Sequence, residues 1–377
     1  MKIITCTGFG NSGSSAATDF FSEFNNVEVV PHELELTFIH ESDGLYDLEK
    51  AIREGHRLKV DLAVKRFILL TEKINEQYQE VFGNKFMEYT KEFIVDSIGC
   101  KWDGWWHRAF ETEPLTLKQR IVARQINHKF VKQCSYNLYE NDNWRSQYLP
   151  PTTEYYESDI EKFISIARKY VSKLLKCLNK NMKQFLVVDQ LVPPTNPELY
   201  LHYFDDIKVI IVDRDPRDYY FANNMFWASR YIPSEDLDTY ICWYRKTRNL
   251  IGESSSVKRV YLEDFIYNYE DISKCLISFC DMDCCNWTDK GKFFLPSCSE
   301  KNASLFLKYN GLETEISKIS KQLSDYLFDF HDNIQVDKKD VVPAMELVRK
   351  FDLEFKQSHI SLKGLLISIS ANLKKHK

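Results

Sequence analysis

Apolar positions along this chain follow two rhythms, one of strands and one of helices. The short runs Ile3-Ile4-Thr5-Cys6-Thr7, Phe185 to Val188, Lys208 to Asp213 and Lys258 to Leu262 are bounded by turn or cap signals and predict buried strands. Ser15 to Phe24 reads as a first helix, and Val27 to Ile39 as extended chain carrying Val29, Leu34, Leu36 and Phe38, closed by an Asp43-Gly44 turn. From about Asp47 to Ile98 the period is helical, with Leu58, Leu62, Phe67, Ile68, Leu70 and Ile74 as the predicted buried stripe of an insertion. Ser158-Asp159-Ile160-Glu161 predicts a capping box, followed by Ile160, Phe163, Ile164, Ala167, Val171, Leu174, Leu175 and Leu178 on one face. Asn196-Pro197 predicts a helix start, with Asn as cap and Pro at the first position. Helices are predicted over most of Ile272 to Phe330 and in the tail from Pro343, where Leu362, Leu365, Leu366, Ile369 and Leu373 share a face. Strands alternating with helices imply a parallel sheet in an α/β fold.

Composition adds exclusions. The 377 residues are 44% hydrophobic with 12 Gly and 11 Pro, which predicts a globular chain with a substantial core. A net charge of −5 argues against a general nucleic-acid binder. No apolar stretch reaches membrane-spanning length and no secretory signal opens the chain, so a cytoplasmic protein with reduced thiols is expected. Cys275, Cys280, Cys284, Cys285 and Cys298 lack paired C-x-x-C knuckles, which favours buried free thiols over a structural zinc. Residues 99 to 157 read as mixed helix and loop, because Trp102, Trp105, Trp106, Tyr136, Tyr139, Trp144, Tyr148, Tyr155 and Tyr156 alternate with charges and the Pro150-Pro151 break. Trp105-Trp106-His107-Arg108 suits either a wall for sugar faces and an anion or an apolar helix contact.

Two segments carry chemistry. After the first strand comes Gly8-Phe9-Gly10-Asn11-Ser12-Gly13-Ser14-Ser15, then a helix. Glycines let the backbone fold so that N–H groups converge on one anion, with the Ser14 and Ser15 hydroxyls and the helix N-terminus as further donors. A nucleotide-hydrolysing P-loop carries lysine where this chain has Ser14, so the loop reads as a phosphate cradle without ordinary ATPase chemistry, or as a tight turn. Further on, Val209-Ile210-Ile211-Val212-Asp213 runs into Arg214-Asp215-Pro216-Arg217-Asp218, a strand followed by a helix in which Asp215 caps and Pro216 pre-sets the first turn. Ligands of open α/β sheets bind beyond the carboxyl ends of the strands. Arg214 therefore stands either on a phosphate or in an ion pair with Asp218, with Arg217 to Asp213 as a second possible pair.

Together the motifs resemble those of the sulfotransferase family, which uses 3′-phosphoadenosine-5′-phosphosulfate. Ser12-Gly13-Ser14-Ser15 matches the family's S-G-[ST]-[ST] core for the 5′-phosphosulfate, and Arg214-Asp215-Pro216-Arg217-Asp218 matches its R-[DN]-P-x-[DE] start of the 3′-phosphate site. Tyr261-Leu262-Glu263-Asp264-Phe265 and the nucleotide-closing Ser299-Glu300-Lys301-Asn302 follow in the same order. The arrangement looks most like bacterial sulfotransferase-like proteins of surface polysaccharide synthesis. The resemblance implies a P-loop-type three-layer α/β domain over residues 1–333 with a mostly parallel sheet, the helical and aromatic-rich insertion at 45–157 on the acceptor side, and a helical C-terminal extension at 334–377. It implies donor contacts from Gly10, Asn11, Ser12, Gly13, Ser14, Ser15, Arg214, Asn223, Lys301 and Asn302, no metal, and a glycan or other small acceptor. The chain departs from the family at Asn11, where Lys or Arg is usual, and at Ala222, where a serine is usual. Asn223, Asn224 and Lys301 are candidates to replace the second contact, and Lys101, Arg108 or Arg66 the first.

Sulfuryl transfer needs an in-line acceptor oxygen, donors on the equatorial and leaving oxygens, and a base. By resemblance the base is a His or Glu after the first helix or in the next βα segment. The candidates are Glu35, His40 and His107, with His32 beside them, and Glu35 is placed first because its extended segment is expected to end near the loop's sheet edge. Each also suits an ordinary surface or core role. The alternatives to a sulfotransferase are a nucleotide- or phosphate-binding protein of the same fold and a P-loop transferase with another donor.

Overall fold

The computed structural model describes residues 1–32, 34–104, 115–133, 151–330 and 337–356. Its centre is a five-stranded sheet in the order β2-β5-β1-β6-β7, flanked by helices. The strands are β1 (Lys2–Gly8), β2 (Val27–Val29), β5 (Phe185–Asp189), β6 (Ile207–Asp213) and β7 (Val257–Tyr261), while β3 (Cys100–Gly104) and β4 (Thr152–Tyr156) form a separate antiparallel ribbon. β2 runs parallel to β5, with Val27 opposite Phe185, and β6 parallel to β7, with Val209 opposite Val257. β5 and β6 are buried along nearly their whole length, as apolar runs covered on both faces should be. The fold is thus α/β with a mostly parallel sheet, as the alternation of strand and helix periods predicted.

The chain divides into two compact units. The first comprises Met1–Thr5, Val27–Val192 and Glu198–Ile207. Its helices Leu45–Glu54, Arg57–Phe82, Lys85–Ser97 and Ile160–Leu178 pack around Phe38, Phe67, Tyr78, Phe86, Phe93, Phe163 and Tyr170. The buried stripe of the long helix is Val60, Val64, Phe67, Thr71, Ile74 and Tyr78, so Leu58, Leu62, Ile68 and Leu70 sit off the face assigned to them from sequence. The same buried face takes in Asp61 and Lys65, which pair at 3.0 Å, and Asp61 also accepts the Tyr155 N–H at 3.0 Å. The pair satisfies charges that a purely apolar reading of the period could not anticipate.

Three local expectations change. Only Val27–Val29 is a strand; after Pro31 the chain buries Leu34, Leu36, Phe38 and Ile39 without pairing and closes in a single turn at Thr37–Ile39. The helix Ile160–Leu178 is capped by Asp159, which accepts the Lys162 N–H at 3.0 Å, while Glu157 accepts the N–H groups of Ser158 and Asp159 at 2.9 Å each. That replaces the predicted capping box, since a carboxylate at Glu157 reaches both amides ahead of the cap. Asn196 has φ +48° and Pro197–Tyr203 is a 3₁₀ segment, so Asn196 acts as a turn residue and not as a helix cap.

The second unit comprises Cys6–Asn26, Pro193–Pro197 and Lys208–Lys377. It holds the glycine loop, the Arg214 motif and the 300–305 segment. Phe221, Ala222, Met225, Leu305 and Phe306 form one of its apolar clusters. Buried Glu23 accepts Trp287 Nε1 at 2.8 Å and the N–H groups of Phe293 and Phe294 at 3.2 and 3.1 Å, fixing the chain that follows the first helix. The described part of the tail is helical over 344–356; Leu362, Leu365, Leu366, Ile369 and Leu373 lie outside the described residues, as do Trp105, Trp106, His107, Arg108, Tyr136, Tyr139, Trp144 and Tyr148. Of the cysteines, Cys6 and Cys280 are buried, whereas Cys284, Cys285 and Cys298 are exposed free thiols, against the expectation of burial for that cluster.

Candidate functional site

β1 ends at Gly8 and the chain turns sharply. Ser12 N–H donates to Phe9 O at 2.7 Å, and the buried Ser12 hydroxyl donates to Val212 O at 2.7 Å, so Ser12 ties the loop to the end of β6. That hydroxyl is engaged within the fold, so any contact from Ser12 to the donor expected from the resemblance would have to use another of its atoms. Asn11 takes φ +64° and Gly13 φ +97°; a Cβ at Gly13 would also lie 2.9 Å from the Leu262 side chain. Among the described residues, the N–H groups of Gly10, Asn11, Gly13 and Ser15 donate to no protein acceptor, whereas those of Ala16 and Ala17 bond to Gly13 O and Ser14 O. The helix Ser15–Phe21 has only seven residues and Ser14 makes no side-chain cap, so any anion here would be met by the unpaired loop amides more than by a helix dipole.

Phe9, inside the loop, lies flat on a buried cation. Its ring centroid is 3.5 Å from the Arg248 guanidinium, which faces Tyr244 at 3.9 Å on another side. Arg248 Nη2 donates to Asp213 Oδ1 at 2.9 Å, and Arg259 Nη2 to Asp213 Oδ2 at 2.6 Å. Burial alone would push the Asp213 carboxyl up; Arg248 and Arg259 outweigh it and hold Asp213 below its ordinary range. The Arg248–Asp213–Arg259 cluster was missed from sequence. Its only signal was Asp213 at a strand end, because Arg248 is 35 residues away.

Arg214 is itself buried. Its Nε and Nη2 donate to Asp218 Oδ2 at 2.9 and 2.6 Å, its Nη2 also meets Asn302 O, and its guanidinium lies 4.8 Å from the Trp227 ring. Of the two sequence alternatives the structure takes the ion pair with Asp218. Asp218 in turn accepts the Leu305 N–H at 2.5 Å. Arg217 pairs with Asp215 at 2.6 Å and not with Asp213. Asp215 caps its helix as predicted, accepting the Arg217 N–H at 2.8 Å, and burial raises its carboxyl against the pull of Arg217. Arg214 and Asn302, assigned from sequence to one site, do meet, through a main-chain carbonyl.

Asn223 is fully buried, with Nδ2 donating to Ser234 Oγ at 2.6 Å and Oδ1 accepting the Ser229 N–H at 2.9 Å. It shapes the 223–234 segment and has no capacity left for a phosphate. Asn224 donates to Tyr220 O at 3.0 Å, and Ala222 is packed in the apolar cluster. Lys301 is exposed and has no partner among the described residues. Glu263, unremarked as a titrating group, is buried; its Oε1 accepts the Asp215 N–H at 3.1 Å and its Oε2 has no partner among the described residues. Burial, then Asp218 and Asp215, push its carboxyl well up.

In the first unit, the candidate bases His32, His40 and Glu35 lie near the carboxyl end of β5, and His107 lies outside the described residues. His32 Nδ1 is 2.8 Å from Asp189 Oδ2, and His40 Nε2 is 2.8 Å from Gln190 O, with burial lowering the His40 imidazole. Glu35 is exposed, and partial burial with Asp189 nearby raises its carboxyl. Its segment is irregular rather than extended. Asp189, the carboxylate that orients His32, was not identified from sequence; it ends β5, one residue past the predicted strand. Lys101 lies over the Tyr155 ring and Arg66 pairs with Asp43 at 3.7 Å. Among the described residues no group of three or more His, Cys, Asp or Glu is arranged to hold a metal, and no helix is long and apolar enough to cross a membrane.

No family profile and no curated protein matches the chain. Among solved structures it is similar to the sulfotransferase domain from the Synechococcus PCC 7002 olefin synthase, at 14% identity and a TM-score of 0.34, covering 88% of this chain and 95% of that domain.

Proposed function

We propose that the protein is a sulfotransferase moving a sulfuryl group from 3′-phosphoadenosine-5′-phosphosulfate to a hydroxyl or amine of a glycan or glycan precursor, in the manner of the bacterial surface-polysaccharide subgroup, and that it works in the cytoplasm. The observation that carries the reading is the glycine loop, whose Gly10, Asn11, Gly13 and Ser15 N–H groups donate to no protein acceptor among the described residues, in a turn held by Ser12 and Phe9. Such a set of free loop amides suits the equatorial oxygens of a phosphosulfate. The acceptor oxygen attacks sulfur, the bond from sulfur to the 5′-phosphate oxygen breaks with its electron pair leaving on that phosphate, and the acceptor proton passes to a base among Glu35, His40 and His107. Lys301 carries charge to the 3′-phosphate, while Arg214 acts through Asn302, holding the segment that presents Lys301. One observation favours the second reading, a nucleotide- or phosphate-binding protein without transfer: Arg214 and Asn223, both expected on the donor, are engaged inside the protein.

The test is 3′-phosphoadenosine-5′-phosphate binding, read as a rise in melting temperature, followed by transfer of labelled sulfate to a glycan panel. Lys301→Ala is expected to weaken nucleotide binding about tenfold, the worth of one charge-assisted contact. Absence of any melting shift in the wild type overturns the donor site; binding without transfer to any acceptor selects the second reading.

A further inference from the structure

The position before Ser12 holds no cation, and an aromatic hydroxyl from another segment stands beside it. The ring of Tyr231 lies so close on Gly10 that a Cβ there would be 2.3 Å from Tyr231 Cε2, and its hydroxyl is 3.4 Å from Asn11 Oδ1. The rest of the side chain is open to solvent, at 65% exposure for the residue. This placement is enforced from two sides. Below, Asn223 binds both the N–H and the carbonyl of Ser229 and the hydroxyl of Ser234. Above, the 344–356 helix reaches the same segment, through an ion pair from Asp352 to Arg230 and a 3.1 Å bond from Arg349 Nη2 to Glu235 O.

A hydroxyl held this way contributes little to folding. Its contact with Asn11 is at the long limit of a hydrogen bond, and the ring packing on Gly10 needs no oxygen. The side chain stands against Gly10 and Asn11, whose N–H groups donate to no protein acceptor among the described residues, so its hydroxyl adds one more donor beside them. We infer that Tyr231 is a ligand-contacting residue of the glycine loop: its phenol O–H donates to an oxygen of the phosphate-type group seated there, a neutral donor standing where a cation is otherwise expected at Asn11. This rests on the anion-binding reading of the loop. A neutral donor stabilises charge on a leaving oxygen less than a cation does, so donor binding here depends less on salt than a lysine-bearing loop would.

Calorimetry with two probes tests it, 3′-phosphoadenosine-5′-phosphate and inorganic pyrophosphate, on the wild type, Tyr231→Phe and Tyr231→Ala. Tyr231→Phe keeps the ring on Gly10 and removes only the oxygen. The expected result is affinity about tenfold weaker for both probes in Tyr231→Phe, with the melting temperature of the free protein unchanged. Unchanged binding in Tyr231→Phe, with loss only in Tyr231→Ala, makes the ring a packing element and overturns the inference. Loss confined to the nucleotide probe also overturns it, because it assigns the side chain to the base instead of the phosphate. Failure of the wild type to bind either probe overturns the loop reading and this inference together, and is told apart by needing no variant.

Discussion

Asp213→Asn is the most demanding perturbation of this architecture, because it removes one charge from a buried cluster while nearly preserving shape. Asp213 and the Arg248 side chain are both 0% exposed, and Arg259 is 17% exposed. An asparagine can accept from only one side and carries no charge, so Arg248 is left as an uncompensated cation between Phe9 and Tyr244. Breaking a buried pair by removing one partner costs about 3–5 kcal/mol, and Arg259 adds little because it can hydrate. Against a total stability of about 5–15 kcal/mol, the loss is a large fraction. Urea denaturation followed by tryptophan fluorescence should show the midpoint falling with an unchanged slope, Trp243 lying 4.9 Å from the Arg248 guanidinium. The second arm is Asp213→Asn with Arg248→Met, which removes both charges and leaves an apolar chain in the aromatic box. It is expected to be more stable than Asp213→Asn alone. A cost below about 1 kcal/mol for Asp213→Asn, or a double variant less stable than the single, would refute the claim that this cluster is held by charge compensation.

Other perturbations follow from the same contacts. Ser12→Ala removes the buried bond to Val212 O and should cost about 1–3 kcal/mol, visible in the same denaturation assay, and a silent variant would deny Ser12 its anchoring role. Glu49, bonded by His202, Tyr203 and Arg53, is held at about 2 although burial opposes this. Because its folded value lies below the unfolded one, its stabilisation is present above about pH 4.5 and lost as pH falls toward 2, so wild type and Glu49→Gln should converge in melting temperature across that window. Glu263 has the opposite sign: its carboxyl is raised, so stability falls as pH climbs above the ordinary carboxylate range, and Glu263→Gln should outlast the wild type at alkaline pH. Equal alkaline melting curves would remove Glu263 from the buried acids.

Much of the fold was legible because its signals are local. Phe185 to Val188, Lys208 to Asp213 and Lys258 to Leu262 are strands within a residue or so of their predicted ends, since a buried parallel strand needs an unbroken apolar run. Asp215 with Pro216 marked a helix start that the structure keeps. The failures are tertiary. Leu34, Leu36 and Phe38 alternate as a strand would, but Pro31 and the nearby helices bury them as irregular chain. At the site, the residue types around Arg214 were right while their partners were open, because the choice between Asp218 and an external phosphate depends on where Asn302 and Leu305 arrive. Arg248, Asp189 and Tyr231 carried no local signal, each gaining its meaning from a segment distant in sequence.

The anchoring of the glycine loop has a thermodynamic consequence. Phe9 and Ser12 are fixed to the protein interior on Arg248 and Val212, Gly10 O accepts from the buried Tyr219 hydroxyl, and Asn11 meets the hydroxyl of Tyr231. The loop is therefore organised when the chain folds, not when an anion arrives. An anion entering it orders few additional dihedrals, and its binding should show a small entropic penalty and a heat-capacity change set by the anion and the Tyr231 ring rather than by refolding of the loop.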